Sequence, residues 1–410
     1  MKAVVIGAGA SGLMCAGGLA EAGHEVVVIE KNDRPGKKLF ITGKGRCNLT
    51  NACDVRTFLD NVVTNRKFLT SAIYGFTPAD CMEFFEKLGV RLKVERGDRV
   101  FPVSDKSGDI VKALEKYALS NGAEIRYCES AKDIKCDHGR VSAVATDKDV
   151  YPCDVVVIAC GGVTYPVTGS TGDGYRLAKK LGHRIVAPSA ALVPLLAKGV
   201  DGLQGLSLKN VSAEVVADEK SVASQFGEML FTHNGVSGPI ILTLSSLVGA
   251  YCDEKGAFVK TAFLKVDLKP ALDRDTLDAR ILREINSTPK VSAKTLLYTL
   301  MPRALAPVVL AQCDIREDVK ACEISKKQRE SLVNAVKGLK FPLTGKDKIE
   351  FGIVTQGGVD VSQINPKDMQ SRTVAGLYIV GETLDVDAFT GGFNLQIAFC
   401  TARAVVRALS

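Results

Sequence analysis

No two of the twelve cysteines stand at CxxC spacing, and the chain carries only four histidines. Neither a metal-ligand cluster nor a redox disulfide therefore has support. Scattered cysteines of this kind read as reduced thiols in a cytoplasmic protein. No run of about 18 uninterrupted apolar residues occurs. The nearest, 236–250, is broken by Pro239 and several serines, so no membrane span is expected. The net charge of +7 comes with no Lys/Arg block and no RNA-reading motif. A nucleic-acid partner is thus not expected, and the mild positive balance suits small anionic ligands such as a dinucleotide or an acyl-CoA.

What is present begins at the first residues. The 410 residues, 46% hydrophobic and 24% charged, allow two or three globular domains. An apolar strand at Ala3–Ile6 runs into Gly7-x-Gly9-x-x-Gly12, an alanine-rich amphipathic stretch opened by Ala10 and Ser11 follows, and a second apolar strand, Val26–Ile29, ends in Glu30. Met1-Lys2 and the apolar run imitate a secretory signal, but the spaced glycines and the partner strand favour a β-α-β unit. Gly7 permits the tight turn, Gly9 leaves room for a pyrophosphate, and Gly12 lets the helix lie close on the sheet. The helix start offers N–H groups and a positive dipole to phosphates. Glu30, about twenty residues on, is placed for ribose hydroxyls, and its charge disfavours a 2′-phosphate.

The segment Lys31–Asn51 is dense in Gly, Lys, Arg and Asn and reads as an extended loop beside the cofactor. It is no P-loop, because Gly43-Lys44 is followed by Gly45. Glu30-Lys31, Gly36-Lys37-Lys38 and Thr42-Gly43-Lys44-Gly45-Arg46-Cys47-Asn48-Leu49-Thr50-Asn51 resemble the signature of the BaiN-like flavoproteins. These are FAD enzymes related to the Gid-type and aminoacetone-oxidase-type proteins. The resemblance implies that this segment wraps around FAD, with Lys31 on it and with Lys37, Arg46 and Asn48 near the pyrophosphate or isoalloxazine. Lys and Arg neutralise a diphosphate, and an Asn amide pairs with flavin ring edges. Cys47 beside Arg46 is read as a packed thiol rather than a redox partner, since no second cysteine stands at resolving distance.

Helical spacing covers Thr57–Gly89 as core packing. Ser107 is expected to cap a helix over Asp109–Ser120, and Glu124–Tyr127, Ala131–Lys135 and Val141–Thr146 alternate as short strands. The resemblance carries Ala131 over as a backbone contact to adenine. A buried strand, Asp154–Gly162, enters Gly161-Gly162 and a glycine cluster reaching Gly174, which the resemblance lays along the flavin. Tyr165 within it is either a proton donor or a wall of the site.

From about Ala187 the texture changes, with strands at Val193–Leu196, Leu206–Val216 and Ala262–Leu268 and helical periodicity at Asp273–Ile285, Ala293–Leu305 and Lys326–Leu339. No glycine fingerprint occurs there, so 187–348 reads as an inserted lid or substrate region, β-barrel-like with helices over about 270–340, between FAD-domain parts 1–186 and 349–410. His233, in a motif shared with the family, is the histidine to test as an acid near the substrate, with a structural role in an apolar hairpin as the alternative. Near Ile349 the chain returns. Gly381-Glu382 follows a short strand, Asp387 points to ribityl hydroxyls, and Gly392, Phe393, Asn394 and Leu395 open a helix whose N–H groups face the flavin pyrimidine.

The expected fold is therefore α/β, a Rossmann-like FAD-binding domain of three-layer ββα type with the insert described. The resemblance implies an FAD-dependent oxidoreductase acting on a CH–CH group. The favoured substrates are 3-oxo-Δ4 or Δ4,6 steroid and bile-acid enones, with NAD(P)H as a transient electron donor. Hydride would reach the β-carbon, and solvent, Tyr165 or His233 would protonate the α-carbon. The alternatives are an aminoacetone-type amine oxidase and an RNA-associated flavoprotein of Gid type.

Overall fold

The computed structural model describes residues 1–410. Two compact units emerge, one from Met1–Ala191 with Ile349–Ser410, the other from Leu192–Lys348.

The first unit is built on a five-stranded sheet whose order is Leu377–Ile379, Val155–Ile158, Lys2–Ile6, Glu25–Ile29, Glu124–Arg126. Every pairing in it is parallel. Ala3–Ile6 and Val155–Ile158 are continuous apolar runs because helices and a second sheet cover both faces, as a parallel sheet requires. The chain moves to one side of Lys2–Ile6 for Glu25–Ile29 and to the other for Val155–Ile158. The switch in direction opens a crevice at the carboxyl ends of these strands.

On one face lies the helix Ala10–Glu21, between Ser107–Ser120 and the last helix, Phe393–Leu409. Its small residues allow that close fit. A Cβ on Gly17 would stand 2.3 Å from the Tyr117 ring, and one on Gly18 would stand 2.6 Å from Val406. The antiparallel sheet Ala131–Asp137, Arg140–Thr146, Val150–Pro152 supplies the third layer, joined where the Val141 N–H donates to Ala375 O at 3.0 Å. The two parts of the unit are stitched by Ile185–Ala191 pairing antiparallel with Val354–Val359.

Two local expectations change in this unit. Lys31–Asn51 is not wholly extended: a short helix runs over Lys37–Ile41, followed by a 3-10 turn at Thr42–Gly45. Leu39 at 3% exposure anchors that turn in the core, and Gly36 starts it with φ 64°. Ser107 does not cap the following helix but begins it, and its hydroxyl donates to Phe40 O at 2.5 Å.

The second unit holds a closed six-stranded barrel, in the order Leu195–Ala197, Gly235–Ser237, Lys220–Phe231, Ser207–Ala217, Ala257–Asp267, Leu339–Lys346. Leu339–Lys346 alternates buried and exposed residues over most of its length, the period of a strand with one face in the core. Helices Arg274–Ser287, Ala293–Leu297, Ala306–Gln312 and Lys326–Val336 lie between the last two barrel strands in sequence. The helix expected over Ala293–Leu305 stops at Leu297, and Pro302 precludes its continuation. The apolar stretch after Gly238 forms the helix Pro239–Leu247.

Candidate functional site

The carboxyl edge of the first unit's sheet collects the glycine turns. Gly7 has φ 107°, and a Cβ there would lie 2.6 Å from Ala159 O. At Gly12 a Cβ would lie 1.8 Å from Gly7 O, so the helix start and the turn interlock. Gly9, the residue before the helix, differs: a Cβ there meets nothing within 4 Å. Open space thus faces the first helical turn, where the N–H groups of Ala10, Ser11 and Gly12 lack intrahelical acceptors.

Glu30 ends the second strand at 7% exposure. Its carboxylate accepts from Ala8 N at 2.8 Å and from Asn32 N and Nδ2 at 2.8 and 2.7 Å. Four lone-pair sites leave it further accepting capacity. Lys31 donates to Asp173 Oδ2 at 2.6 Å and to Thr171 Oγ1 at 2.5 Å, tying this strand end to the glycine loop before the helix Asp173–Lys180. Burial works to raise the Asp173 pKa, but the Lys31 bonds and Arg176 hold it below the usual range. Ala131 starts its strand at 7% exposure, and its carbonyl accepts from Arg176 Nη2 at 3.0 Å.

The basic residues separate. Lys37 pairs with Asp33 at 2.7 Å. Its neighbour Lys38 reaches the glycine edge, donating to Thr164 Oγ1 at 2.7 Å and to Glu382 Oε1 and Oε2 at 2.9 and 2.7 Å. Glu382 also accepts from Thr355 N at 2.8 Å. Lys38, Thr164 and Thr355 therefore join the site although sequence reasoning did not single them out. The doublet Lys37-Lys38 was the available signal, and the turn set by Gly36 decides which member reaches Glu382. Arg46 is held by two acids. It donates to Glu95 at 2.5 Å and to Asp105 at 2.6 and 2.8 Å, and it stacks 4.2 Å from the Phe101 centroid. The Glu95 and Asp105 bonds raise its pKa.

Asn48 Oδ1 is the one buried side-chain polar atom in the chain with no hydrogen-bond partner. The neighbouring Cys47 thiol is pushed up to about 12 by burial, which keeps it protonated. Gly161 and Gly162 continue the edge, and a Cβ on Gly162 would strike Thr355 Oγ1 at 2.1 Å. Tyr165 is fixed at φ 52° in the turn beyond Thr164. Gly381 donates its N–H to Thr401 Oγ1 at 3.0 Å, and a Cβ there would lie 2.8 Å from Ser11 Oγ, so the third and first glycine turns touch.

Asp387 is 1% exposed, and its carbonyl accepts from Val63 N at 2.9 Å. Gly392, at φ 98°, packs against the Thr50 backbone and precedes the helix opened by Phe393, Asn394 and Leu395. Phe393 meets Phe58 edge-on at 5.5 Å. The Asn394 amide closes its own loop, accepting from Ala388 N at 2.9 Å and donating to Ala388 O at 2.7 Å.

His233 belongs to the second unit. It stands exposed in the turn between Lys220–Phe231 and Gly235–Ser237 and lines a pocket of about 650 Å³ at one end of the barrel.

A parallel sheet with its switch point at Lys2–Ile6, an open first helical turn and an acid closing the second strand define a Rossmann-type dinucleotide-binding flavoprotein fold. The residues fit FAD: the open space at Gly9 would take a pyrophosphate, and the unpaired Asn48 oxygen would accept from an N–H on a ring edge. The chain belongs to the family described as HI0933-like protein Rossmann domain, which it matches over residues 1–408. It is an FAD-binding oxidoreductase of that family. It is 30% identical to a ribosomal RNA dihydrouridine synthase of Haemophilus influenzae, over 99% of this chain and 98% of that one. It is 29% identical to a 3-dehydro-bile acid delta(4,6)-reductase of Clostridium scindens, over 98% of each. Among solved structures, a 3-ketosteroid-delta4-(5alpha)-dehydrogenase from Rhodococcus jostii RHA1 shares the fold at TM-score 0.54 and 15% identity, over 99% of this chain and 96% of that one. No helix is long and apolar enough to cross a membrane.

Proposed function

We propose that this chain reduces a carbon–carbon double bond conjugated to a carbonyl, with NAD(P)H as the source of electrons. The observation that carries this reading is a shared chemistry. The names of the Haemophilus influenzae and Clostridium scindens relatives, which match almost end to end, specify different substrates, yet both describe saturation of such a bond. Uracil C5=C6 is conjugated to C4=O as a steroid Δ4 bond is to its 3-ketone.

Bound FAD supplies the two-electron chemistry that no side chain of this protein provides. The chain's residues would hold and orient it: the first helical turn receives the diphosphate, Glu30 and Asp387 accept from sugar and ribityl hydroxyls, and Asn48 meets the ring edge. Tyr165, in the turn beside the glycine edge, is assigned as the proton donor to the α-carbon.

The substrate we favour is a uracil base in RNA, a reading supported by the Haemophilus influenzae relative and by lysines at the barrel pocket. The second reading, a steroid or bile-acid enone, is supported by the Clostridium scindens relative and by the motif resemblance. Anaerobic mixing of the photoreduced holoenzyme with each substrate tests both. Flavin reoxidation with gain of two hydrogens by the RNA base or by the enone supports the chemistry and selects the substrate. Reoxidation by neither, with peroxide formed from an amine in air, overturns the reading.

A further inference from the structure

The barrel end of the second unit carries a cationic pocket that the FAD chemistry does not use. Lys198, Lys255, Lys346 and Lys348 line it together with His233, around about 650 Å³ of space. That volume lies within the range of small-molecule sites, about 300–1,000 Å³. Two acids, Asp201 and Asp347, also line it, so cations outnumber anions two to one among the charged lysines and carboxylates.

The lysines arrive from separate segments because the barrel closes. Lys198 follows the strand Leu195–Ala197, and its N–H donates to Pro342 O at 2.9 Å. Lys255 sits in the turn before Ala257–Asp267, where the Lys346 N–H donates to Gly256 O at 2.8 Å. Lys348 lies just past Leu339–Lys346, and the Asp347 N–H donates to Pro194 O at 2.9 Å. Lys198, Lys255 and Lys348 are exposed, and none has a carboxylate within ion-pair distance, whereas many other surface lysines of this chain do. Lys346, at 4% exposure, lies in the pocket wall. Three unneutralised ammonium groups held by fixed backbone around one concavity form a field that attracts phosphates.

We propose that this pocket binds the phosphodiester backbone of the RNA substrate, an inference that rests on the RNA reading above. Ammonium groups from three segments suit successive phosphates along a strand, and they carry no base recognition of their own. The pocket therefore provides affinity rather than base selection.

The test uses FAD-loaded full-length protein and a fluorescently labelled single-stranded ribosomal RNA fragment, with anisotropy read across a salt series. The variant Lys198→Ala/Lys255→Ala/Lys348→Ala is compared with Lys198→Arg/Lys255→Arg/Lys348→Arg, which keeps the charge. Lys346 is left in place because it is buried. The expected result for the alanine variant is binding weakened by about tenfold or more near 0.1 M salt, with the log–log salt slope shallower by about two. The arginine variant should retain both values. Equal affinity and slope in wild type and alanine variant would overturn the pocket and leave the RNA reading standing. No RNA binding by the wild type would overturn the RNA reading and the pocket with it. Inorganic phosphate binding that the alanine variant loses while its RNA binding stays at the wild-type value would assign the pocket to a free anion and overturn the proposal.

Discussion

Lys38 and Glu382, 344 positions apart in sequence, are joined by two hydrogen bonds of 2.9 and 2.7 Å. The bond fastens the segment after the second strand to the turn after the strand Leu377–Ile379, so both walls of the crevice move together. Both side chains are about one-fifth exposed, at 22% and 21%, which places the pair between a screened surface contact and a desolvated one. Lys38→Met should cost about 1–3 kcal/mol in urea unfolding, because Glu382 keeps its charge and loses its main partner. Lys38→Met/Glu382→Gln should recover part of that loss. Two losses that simply add would show that the pair is not coupled.

Gly9 and Gly12 should separate ligand binding from folding. In Gly9→Ala the methyl enters open space, so the FAD-free protein should melt as the wild type does. FAD affinity should fall by at least about tenfold, or about 1.4 kcal/mol, because that space is where the diphosphate fits. In Gly12→Ala the methyl meets Gly7 O, and the FAD-free protein itself should lose about 1–3 kcal/mol or more. Calorimetry of both apoproteins and FAD titration check the contrast.

The unpaired Asn48 oxygen should be costly without cofactor and useful with it. A buried acceptor left unsatisfied costs about 1–3 kcal/mol. Asn48→Ala should therefore leave apoprotein stability unchanged or raised while weakening FAD binding. Equal weakening of both would mean that Asn48 serves the fold.

His183 is buried, with Nδ1 3.3 Å from Ala178 O and Nε2 2.9 Å from Ser371 Oγ. The neutral ring suits this setting, donating to the carbonyl and accepting from the hydroxyl. Burial lowers its pKa from 6.5 despite the Ala178 bond. The unfolded chain then binds the extra proton first, so this contribution is fully present above pH 6.5 and is lost as pH falls toward the folded-state pKa. Urea midpoints should decline on acidification from pH 6.5, before carboxylates titrate, and His183→Gln should flatten that decline.

The crevice was legible because its demands are local. A tight turn, a close backbone approach and a buried parallel strand each leave a mark in a few consecutive residues, as at Gly7–Gly12 and Val155–Gly162. Side-chain commitments were harder to read. Arg46 finds Glu95 and Asp105, which lie 49 and 59 residues away, and nothing near Arg46 announces them. Lys38 rather than Lys37 reaches Glu382 through the phase of one short turn. The barrel lysines form no run in the chain, so a search for basic blocks passes over a cluster that strand pairing assembles.

The crevice draws on residues 7–12 and again on residues 381–395, with an independently packed barrel unit between them. During synthesis, the early glycine turn is on the surface of the ribosome long before the wall that completes it has been made. The barrel unit has its own core and can fold in that interval, since domains fold as units during translation. A released chain truncated before Leu377 should hold a folded barrel yet retain no flavin, so loading with cofactor waits until synthesis is nearly complete.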